Sequence, residues 1–502
     1  MASSHSRFLN HLPPRSSTNR LNLLPSSSSF HFHSSPFNLH LSIIQRESCR
    51  CCVRRNVLLT RAFDEDSFDM PMLDDWNADE SSLEHAFSSS DGEDSDDEVL
   101  LTPMNDVDLP SVSVSNNEAI TLAAHRFANL GRDRKKHRIK RGIFITMGLI
   151  SVLIMVLLFV DWCAWRIVRL PLSPFYLTRP FLISAVLVSF AGYVCVPIFR
   201  RFKVVHVIKQ QGPFRRRSSK RTPTLGGLFF IPVGITVAQV IAGSSSIEVS
   251  GAAGVTIAFA AVGLLNDILS LTKNHRRGLP AVAEVLLEGA VGTWFSFWLD
   301  INSISSPYGM KMLVPLPLGL VYLGRYYKLL TSFCFVSVGH GMKFADALDG
   351  LAGGTAALAF TGMSIAVLPI CSELGIFGAS MAGSCVGFLL HNRYKASVFM
   401  GNTGSLALGG ALAAMASSTG MFFPLFISSG IFIVEASSVV IQMVYLKINK
   451  GFQGGGWRLF RMRPFHHHLQ LHGFREPNIV LGAYLISSLL ALLGGYIGLV
   501  SA

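Results

Sequence analysis

The sequence predicts an all-α fold, a polytopic bundle of transmembrane helices. Half of its 502 residues are hydrophobic, only 15% are charged, and its mean hydropathy is +0.42. Soluble globular proteins carry about a quarter charged residues, so this composition indicates a membrane protein. Apolar runs long enough to cross a bilayer as a helix, roughly 17–25 residues, recur along the chain. We place spans, about ten in the body of the chain and one extra N-terminal span, near residues 142–160, 181–199, 225–242, 250–266, 281–299, 326–341, 352–369, 374–391, 404–419, 421–446 and 478–500.

Residues 1–62 have the composition of a transit peptide. They are rich in Ser and Arg, and Glu47 is their only acidic residue. This pattern is typical of an organelle transit peptide and not of a secretory signal, and it favours the plastid. The alternative is a tail that carries no address. Residues 63–125 follow with acidic runs such as DGEDSDDE, which predict a disordered linker because like charges repel and little apolar surface is available to bury.

Residues 126–175 combine a basic segment with the extra span. The segment RDRKKHRIKR at 132–141 could bind nucleic acid. Its position directly before an apolar run instead favours an anchor at the lipid head groups. We therefore expect a membrane partner and no nucleic acid. The remaining residues, 176–502, form the polytopic body.

Counting the crossings places the polar loops of the body on one side of the membrane. Neighbouring loops in this set are separated by two crossings, so all emerge on the same face; they follow residues 199, 266, 341, 391 and 446. These loops hold most basic residues of the body, whereas the opposite loops contain little beyond Lys311 and Arg325. This asymmetry is the positive-inside pattern.

Three acidic residues fall inside predicted spans: Glu284, Glu288 and Glu435. Charges at this depth are costly and usually face a partner or a cavity. The alternative for Glu284 and Glu288 is a place near a helix end, where both side chains would reach water.

The basic face carries four polar motifs. They are NDILSLTKNHRRGL from Asn266, FADALDGLAGG from Phe344, HNRYKASVFMGNTGS from His391 and RPFHHHLQLHGF from Arg463. Taken singly, each has an ordinary explanation: the NTG run, for example, is typical of a turn. The three-residue spacing of Asp346 and Asp349 would place both carboxylates on one face of a helix. The adjacent histidines are not expected to bind one zinc ion, because neighbouring side chains diverge.

Together the four motifs supply what phosphoryl transfer needs. Carboxylates and amides can hold a hard cation such as Mg²⁺, which shares its shell with substrate phosphates. Histidines and arginines on the same face can donate hydrogen bonds to phosphate oxygens. A site at the membrane face suits one water-soluble phosphate substrate and one lipid phosphate.

Five segments, in this order, resemble the phospho-N-acetylmuramoyl-pentapeptide transferases, a family of the polyprenyl-phosphate sugar-1-phosphate transferase superfamily. They are GPFRRRSSKRTPTLGG, NDILSLTKNHRRGL, FADALDGLAGG, VFMGNTGSLALGGAL and RLFRMRPFHHHLQLHG, and the likeness covers roughly residues 180–500. The resemblance implies a transferase domain over 176–502, a UDP-linked muramoyl-peptide donor, a polyprenyl phosphate acceptor and Mg²⁺ as cofactor. It implies release of UMP, formation of the first lipid-linked peptidoglycan intermediate, and a homodimer. With the transit peptide, it implies a multi-pass protein of the plastid (chloroplast) inner envelope whose active site faces the stroma.

The resemblance also implies a set of site residues. The catalytic group consists of Asp267, Asn266, His466, His467 and His468. The substrate-binding group consists of Asp346 and Asp349, associated with nucleoside recognition, Phe399, in the place of a uracil-stacking residue, Asn392 and Lys273. The metal ligands are Asn402 and Asp267.

The sequence departs from the family pattern at the site itself. Asn266 stands where the family has the first acid of an Asp-Asp pair, and Asn402 where it has a Mg²⁺-binding Asp. An amide supplies an oxygen but no charge, and it cannot act as a general base. Lys343 replaces an asparagine, and Glu284 replaces a basic residue.

These departures keep alternatives open. The chain could be a catalytically impaired membrane homologue that binds a nucleotide-sugar, a lipid or a partner, or a transferase that uses another UDP-sugar. A transporter, suggested by Glu435, is disfavoured because transporters hold their polar groups near the midplane.

Overall fold

The computed structural model describes residues 115–167, 172–201, 222–243, 246–272, 278–302, 311–315, 319–452 and 459–501. The predicted transit peptide, the linker up to residue 114 and Lys273 lie outside these ranges. The described elements are α1 Ser115–Arg166, α2 Thr178–Arg201, α3 Gly227–Ala242, α4 Ile247–Thr272, α5 Ala281–Ile301, β1 Lys311–Val314, β2 Gly319–Tyr322, α6 Arg325–Ala345, α7 Leu351–Val367, α8 Ser372–Asn392, α9 Gly401–Thr419, α10 Phe422–Ser428, α11 Gly430–Phe452, α12 Phe465–Leu471 and α13 Glu476–Ser501.

Seven of these helices are long and apolar enough to cross a membrane, namely Ile139–Arg166 of α1, α2, Ile247–Ser270 of α4, α5, α8, Gly430–Ile448 of α11, and α13. The apolar helices α3 and α7 are shorter. Helices α6 and α9 have the length of a span but a composition less apolar than the seven. The predicted all-α polytopic bundle is confirmed.

The structure differs from the predicted elements in three places. The span predicted at 421–446 is two helices, α10 and α11, separated at Ser429. The loop predicted at 300–325 contains the antiparallel hairpin β1–β2, with Lys311 paired to Tyr322. Helix α1 begins at Ser115, inside the stretch assigned to the disordered linker.

The centre of the bundle is built from α7, α8 and α9, whose side chains are almost all buried within the protein. These helices are rich in Gly, Ala and Ser, which let helix backbones approach closely in a membrane. At the crossing of α6 and α9, a Cβ on Gly409 would lie 2.6 Å from Cα of Gly339. The peripheral helices instead expose large apolar side chains, such as Phe190 of α2 and Leu489 of α13, as a lipid-facing surface requires.

One face of the bundle is defined by the connection from α1 to α2. The buried Asp161 accepts hydrogen bonds from N of Leu177 (3.0 Å), N of Thr178 (2.9 Å) and Oγ1 of Thr178 (2.6 Å). This carboxylate therefore caps the start of α2 and fixes the two helices as a hairpin.

The opposite face gathers the polar motifs. There the ends of α4, α6 and α8 meet the starts of α5, α7 and α9, through the hydrogen bonds described below. The single-face arrangement that follows from counting crossings is the arrangement that the structure has.

Candidate active site

The start of α9 is the centre of the candidate site, and Asp267 of α4 caps it. The Asp267 carboxylate accepts hydrogen bonds from N of Asn402 (3.2 Å), N of Thr403 (2.9 Å) and Oγ1 of Thr403 (2.7 Å). A carboxylate in this position satisfies N–H groups that have no partner within the helix, and it complements the helix dipole. Gly401 has φ 75°, and a Cβ there would overlap O of Thr224. The NTG run is therefore the first turn of a helix, and the interpretation of it as an ordinary turn is wrong.

A second carboxylate, Asp346, lies beside Asp267. Asp346 and Asp349 belong to the turn between α6 and α7, so the two acids do not share a helix face as their spacing suggested. The N–H of Gly401 donates to Asp346. Burial raises the pKa of the Asp346 carboxyl well above its usual range, and the charges of Asp267 and, to a smaller extent, Asp349 raise it further. Two carboxylates thus converge on one helix start, where a cation would relieve their repulsion.

Asn266 is buried beside this pair and faces α5. Its Nδ2 donates to Oε1 of Glu284 (3.3 Å), and its Oδ1 accepts from N of Leu279 (2.9 Å). Nζ of Lys343, in the last turn of α6, donates to the same Glu284 carboxylate. Nδ1 of His340 lies 2.9 Å from Oε2 of the intramembrane Glu288, one turn further along α5. Glu284 and Glu288 are 2% and 0% exposed, so the alternative that they reach water is wrong.

The turn that contains Asp349 is held by α8 and α13. Oδ1 of Asn392 accepts from N of Gly350 (2.9 Å), while its Nδ2 donates to O of Val398 (2.8 Å). Tyr484 of α13 donates its hydroxyl to O of Gly350 (2.6 Å). Gly350 has φ 82°, a conformation that favours glycine. Asn392 therefore joins the acidic turn to the segment before α9.

Phe399 lies in that segment, between Asn392 and the start of α9. Its backbone N donates to O of Pro223 (2.8 Å), and its O accepts from N of Gly226 (3.0 Å). The side chain is partly exposed, as a residue that stacks on a ligand ring must be. The described part of the segment GPFRRRSSKRTPTLGG, from Thr222 onward, thus packs directly against the segment that contains Phe399.

The extra span contributes to the wall behind the acidic turn. A cavity with a volume of about 20 Å³, room for about one water molecule, is lined by Gly142 and Thr146 of α1 together with Asp349, Tyr394 and Tyr484. A Cβ on Gly142 would lie 2.9 Å from Cβ of Tyr394, so α1 and the segment after α8 are in close contact.

The histidine motif forms the short helix α12, next to α11. His466 is buried, and its Nδ1 lies 3.1 Å from Oε2 of Glu435 in α11. Nδ1 of His467 lies 3.0 Å from Oε1 of Gln470. Burial, His472 and then Arg461 lower the pKa of His468. Helix α11 reaches the site through α6, where a Cβ on Gly341 would overlap the backbone of Phe432.

The donor set at α9 fits a hard divalent cation that shares its shell with substrate phosphates. Two converging carboxylates, Asp267 and Asp346, and the amide oxygen of the adjacent Asn402 are the ligand types that Mg²⁺ uses, since it binds through one or two carboxylates plus phosphate and water. Among the described residues, no group of three or more His, Cys, Asp or Glu side chains is placed to hold a metal ion. Substrate phosphate and water would therefore have to complete the shell of the cation.

The structure brings most predicted site residues onto one face in three neighbouring groups. The groups are Asn266, Asp267, Asp346 and Asn402; Asp349, Asn392 and Phe399; and His466, His467 and His468. Sequence reasoning missed Thr403 and Tyr484, which hold these groups in place. A threonine after a glycine turn and a tyrosine in an apolar run carry no signal that would have singled them out.

Known proteins are similar to this chain over the part that contains most of these residues. The chain matches the model of glycosyl transferase family 4 over residues 249–420, which contain the first two groups. Three proteins named phospho-N-acetylmuramoyl-pentapeptide-transferase are similar to it. They come from Trichormus variabilis (37% identical, 70% of this chain, 94% of the relative), Nostoc sp. (38%, 70% and 93%) and Gloeothece citriformis (39%, 63% and 85%).

The first two matches extend beyond the predicted transferase domain. Each covers 70% of the chain, which is more residues than the predicted domain 176–502 contains. The similarity therefore reaches into the region assigned to the basic anchor and the extra span. The third match covers 63% of the chain, and the predicted domain alone is long enough to contain it. With 37% identity over nearly the full length of its relative, the chain belongs to the phospho-N-acetylmuramoyl-pentapeptide-transferase family.

Proposed function

We propose that this protein transfers phospho-N-acetylmuramoyl-pentapeptide from a UDP-linked donor to a polyprenyl phosphate. The reaction releases UMP and leaves the muramoyl-peptide on the lipid through a diphosphate. The observation that carries the proposal is the convergence of Asp267 and Asp346 on the start of α9. This is the end of the helix bundle that gathers the polar motifs, where we propose that a lipid phosphate and a soluble nucleotide meet. Membership of the family supports the choice of reaction.

The start of α9 is proposed as the diphosphate site. Helix N-termini attract phosphate, and the flanking carboxylates and the amide of Asn402 are suited to hold Mg²⁺. When bound, Mg²⁺ supplies charge that offsets the phosphate oxygens. Asp267 also accepts hydrogen bonds from the first turn of α9, so it fixes the orientation of the helix start at the same time.

The second group is proposed to bind the uridine of the donor. Asp349 and Phe399 offer a carboxylate and a partly exposed ring, and Asn392 holds the two segments together. The hydrogen bonds of Asn392 support a role in positioning rather than in direct recognition, because both ends of its amide already have protein partners. Lys273, outside the described residues, is proposed to contact phosphate.

The histidine group is proposed to donate hydrogen bonds to phosphate oxygens during transfer. Glu435 lies against His466, so this intramembrane acid has a partner beside the site. With its Nδ1 held by Glu435, His466 would present Nε2 to a substrate. The buried Nε2 has no hydrogen-bond partner among the described residues.

The setting is proposed from the N-terminal composition and the cyanobacterial relatives. We propose a chloroplast inner-envelope protein with a cleaved transit peptide, its site facing the stroma, acting as a homodimer on lipid and nucleotide substrates and not on nucleic acid. Import into isolated chloroplasts, followed by protease treatment from each side, tests the location and the orientation.

The experiment that tests the function is release of UMP by the purified full chain in detergent. The donor is UDP-N-acetylmuramoyl-pentapeptide, the acceptor is a polyprenyl phosphate, and the reaction is run with and without Mg²⁺. We expect release that needs both substrates and the cation. No release above a heat-inactivated sample would refute the proposal, and release with UDP-N-acetylglucosamine in place of the muramoyl donor would assign the chain to another sugar.

A further inference from the structure

Asn266 and Glu284, which differ from the family pattern that the resemblance implies, are in direct contact in the structure. Nδ2 of Asn266 donates to Oε1 of Glu284, which is 2% exposed. Lys343, also a departure, donates to Oε1 and Oε2 of Glu284 at 2.7 and 2.5 Å. The three side chains, from α4, α5 and α6, form one network that we call the Asn266 network, in which Asn266 and Glu284 are buried and Lys343 is partly exposed.

The amide of Asn266 suits this network in a way that a carboxylate would not. Its Nδ2 is a donor aimed at a buried carboxylate, and its Oδ1 accepts from N of Leu279. An aspartate could still accept from Leu279, but it would place a second negative oxygen against Glu284. Lys343 supplies one positive charge, which balances one carboxylate and not two. In a buried setting, an unbalanced charge is strongly destabilising.

The network also fixes the segment that returns to α5. Leu279 follows the α4–α5 loop, and its backbone N is held by Asn266 just before α5 begins at Ala281. Gly278 packs so tightly that a Cβ on it would overlap Oδ1 of Asn266. Asn266, which directly precedes Asp267, thus fixes both the end of the α4–α5 loop and the end of α4.

We infer that Asn266 is a positioning residue matched to the Glu284–Lys343 ion pair, not the remnant of a lost catalytic acid. Asparagine is required at position 266 because its partner, Glu284, carries a negative charge. An acid at position 266 would fit the network only if residue 284 lost its negative charge. This inference rests on the proposed function for its kinetic readout and not for its stability readout.

A charge exchange tests the inference. Asn266→Asp alone should lower the Tm of the purified full chain by about 5 °C or more, and kcat for UMP release by about tenfold. Asn266→Asp combined with Glu284→Gln keeps the total charge of the network, and the glutamine can donate to the new aspartate. The double variant should recover at least half of the Tm loss and most of kcat.

The chain offers a matched control in the pair Glu288–His340. Like Glu284–Lys343, it joins α5 and α6 and has a buried carboxylate, but it lies one turn away from the site. Glu288→Gln should lower Tm but should not be rescued by Asn266→Asp, and it should leave KM and kcat within about twofold.

The outcomes are distinguishable. If Asn266→Asp keeps the Tm and activity of the natural chain, or if Glu284→Gln does not rescue it, the inference is overturned. If the natural chain releases no UMP, the proposed function fails while the Tm cycle still decides the inference. A gain of activity in Asn266→Asp alone would mean that the position is a lost acid, and it would also overturn the inference.

Discussion

Replacing Asp267 by Asn should both loosen the start of α9 and stop transfer. The carboxylate accepts hydrogen bonds from Asn402 N, Thr403 N and Thr403 Oγ1 at 3.2, 2.9 and 2.7 Å. Hydrogen bonds to a charged group contribute about 1.5–3 kcal/mol each and neutral ones about 0.5–1.5. An asparagine keeps one accepting oxygen and turns the other into a donor, so at least one bond is lost and the others weaken.

The expected loss of stability is therefore about 3 kcal/mol. This loss is smaller than the sum of three hydrogen bonds to a charged group, because removing the charge of Asp267 also relieves Asp346 of a repulsive neighbour. The expected loss of kcat is larger, at least about 100-fold, because one of two carboxylates that face the cation and the diphosphate is removed.

Two measurements on detergent-purified protein separate these effects: thermal unfolding and UMP release over a range of Mg²⁺ concentrations. The matched control is Thr403→Val, which removes only the Oγ1 donor from the same cap and should cost about 1.5–3 kcal/mol with kcat within about threefold. If Asp267→Asn loses stability but keeps kcat, Asp267 is only a helix cap, and its assignment to the site is refuted.

Three further variants probe the other groups. Glu435→Gln keeps an acceptor for His466 but removes the negative charge beside it, so kcat of UMP release should fall about tenfold with little change in the Tm. An unchanged kcat would show that Glu435 and His466 take no part in the reaction. Asn392→Asp loses the donor that joins the acidic turn to the segment before α9, so KM for the UDP donor should rise about tenfold, as initial rates at varied donor would report; a change confined to Tm would make Asn392 purely structural. Asn402→Asp adds a carboxylate at a helix start, where the dipole favours it, so the Mg²⁺ concentration for half-maximal activity should fall about fivefold; a rise would exclude Asn402 from the cation site.

The polytopic helical class and the shared face of the polar motifs could be predicted because both depend on hydropathy and on where charges lie. The break at Ser429 could not, since the apolar run continues through it and only the packing of α10 and α11 against different neighbours separates them. The hairpin β1–β2 was missed because its strands are four residues each, too short for a clear alternation.

The polar residues of the site were visible as motifs, but their partners were not. Glu284 and Lys343 are far from Asn266 in sequence, and only the meeting of α4, α5 and α6 reveals that the three are one network. The same holds for Glu435, whose partner His466 lies beyond the end of its helix. Asn266, Glu284 and Lys343 looked like separate changes in the sequence and are in contact in the structure.

The burial of α7, α8 and α9 bears on how this protein reaches its final state in a cell. A helix that is accepted into a bilayer on its own must be apolar enough to prefer lipid to water. Helix α7 is short for a full crossing, and α9 is rich in Gly, Ala and Ser, so neither is well suited to enter alone. Their insertion is expected to depend on earlier helices that are already in place, which makes biogenesis a process in which chain order matters. A variant that lacks the helices before α7 should therefore fail to insert α7 and α9, even though both helices are intact.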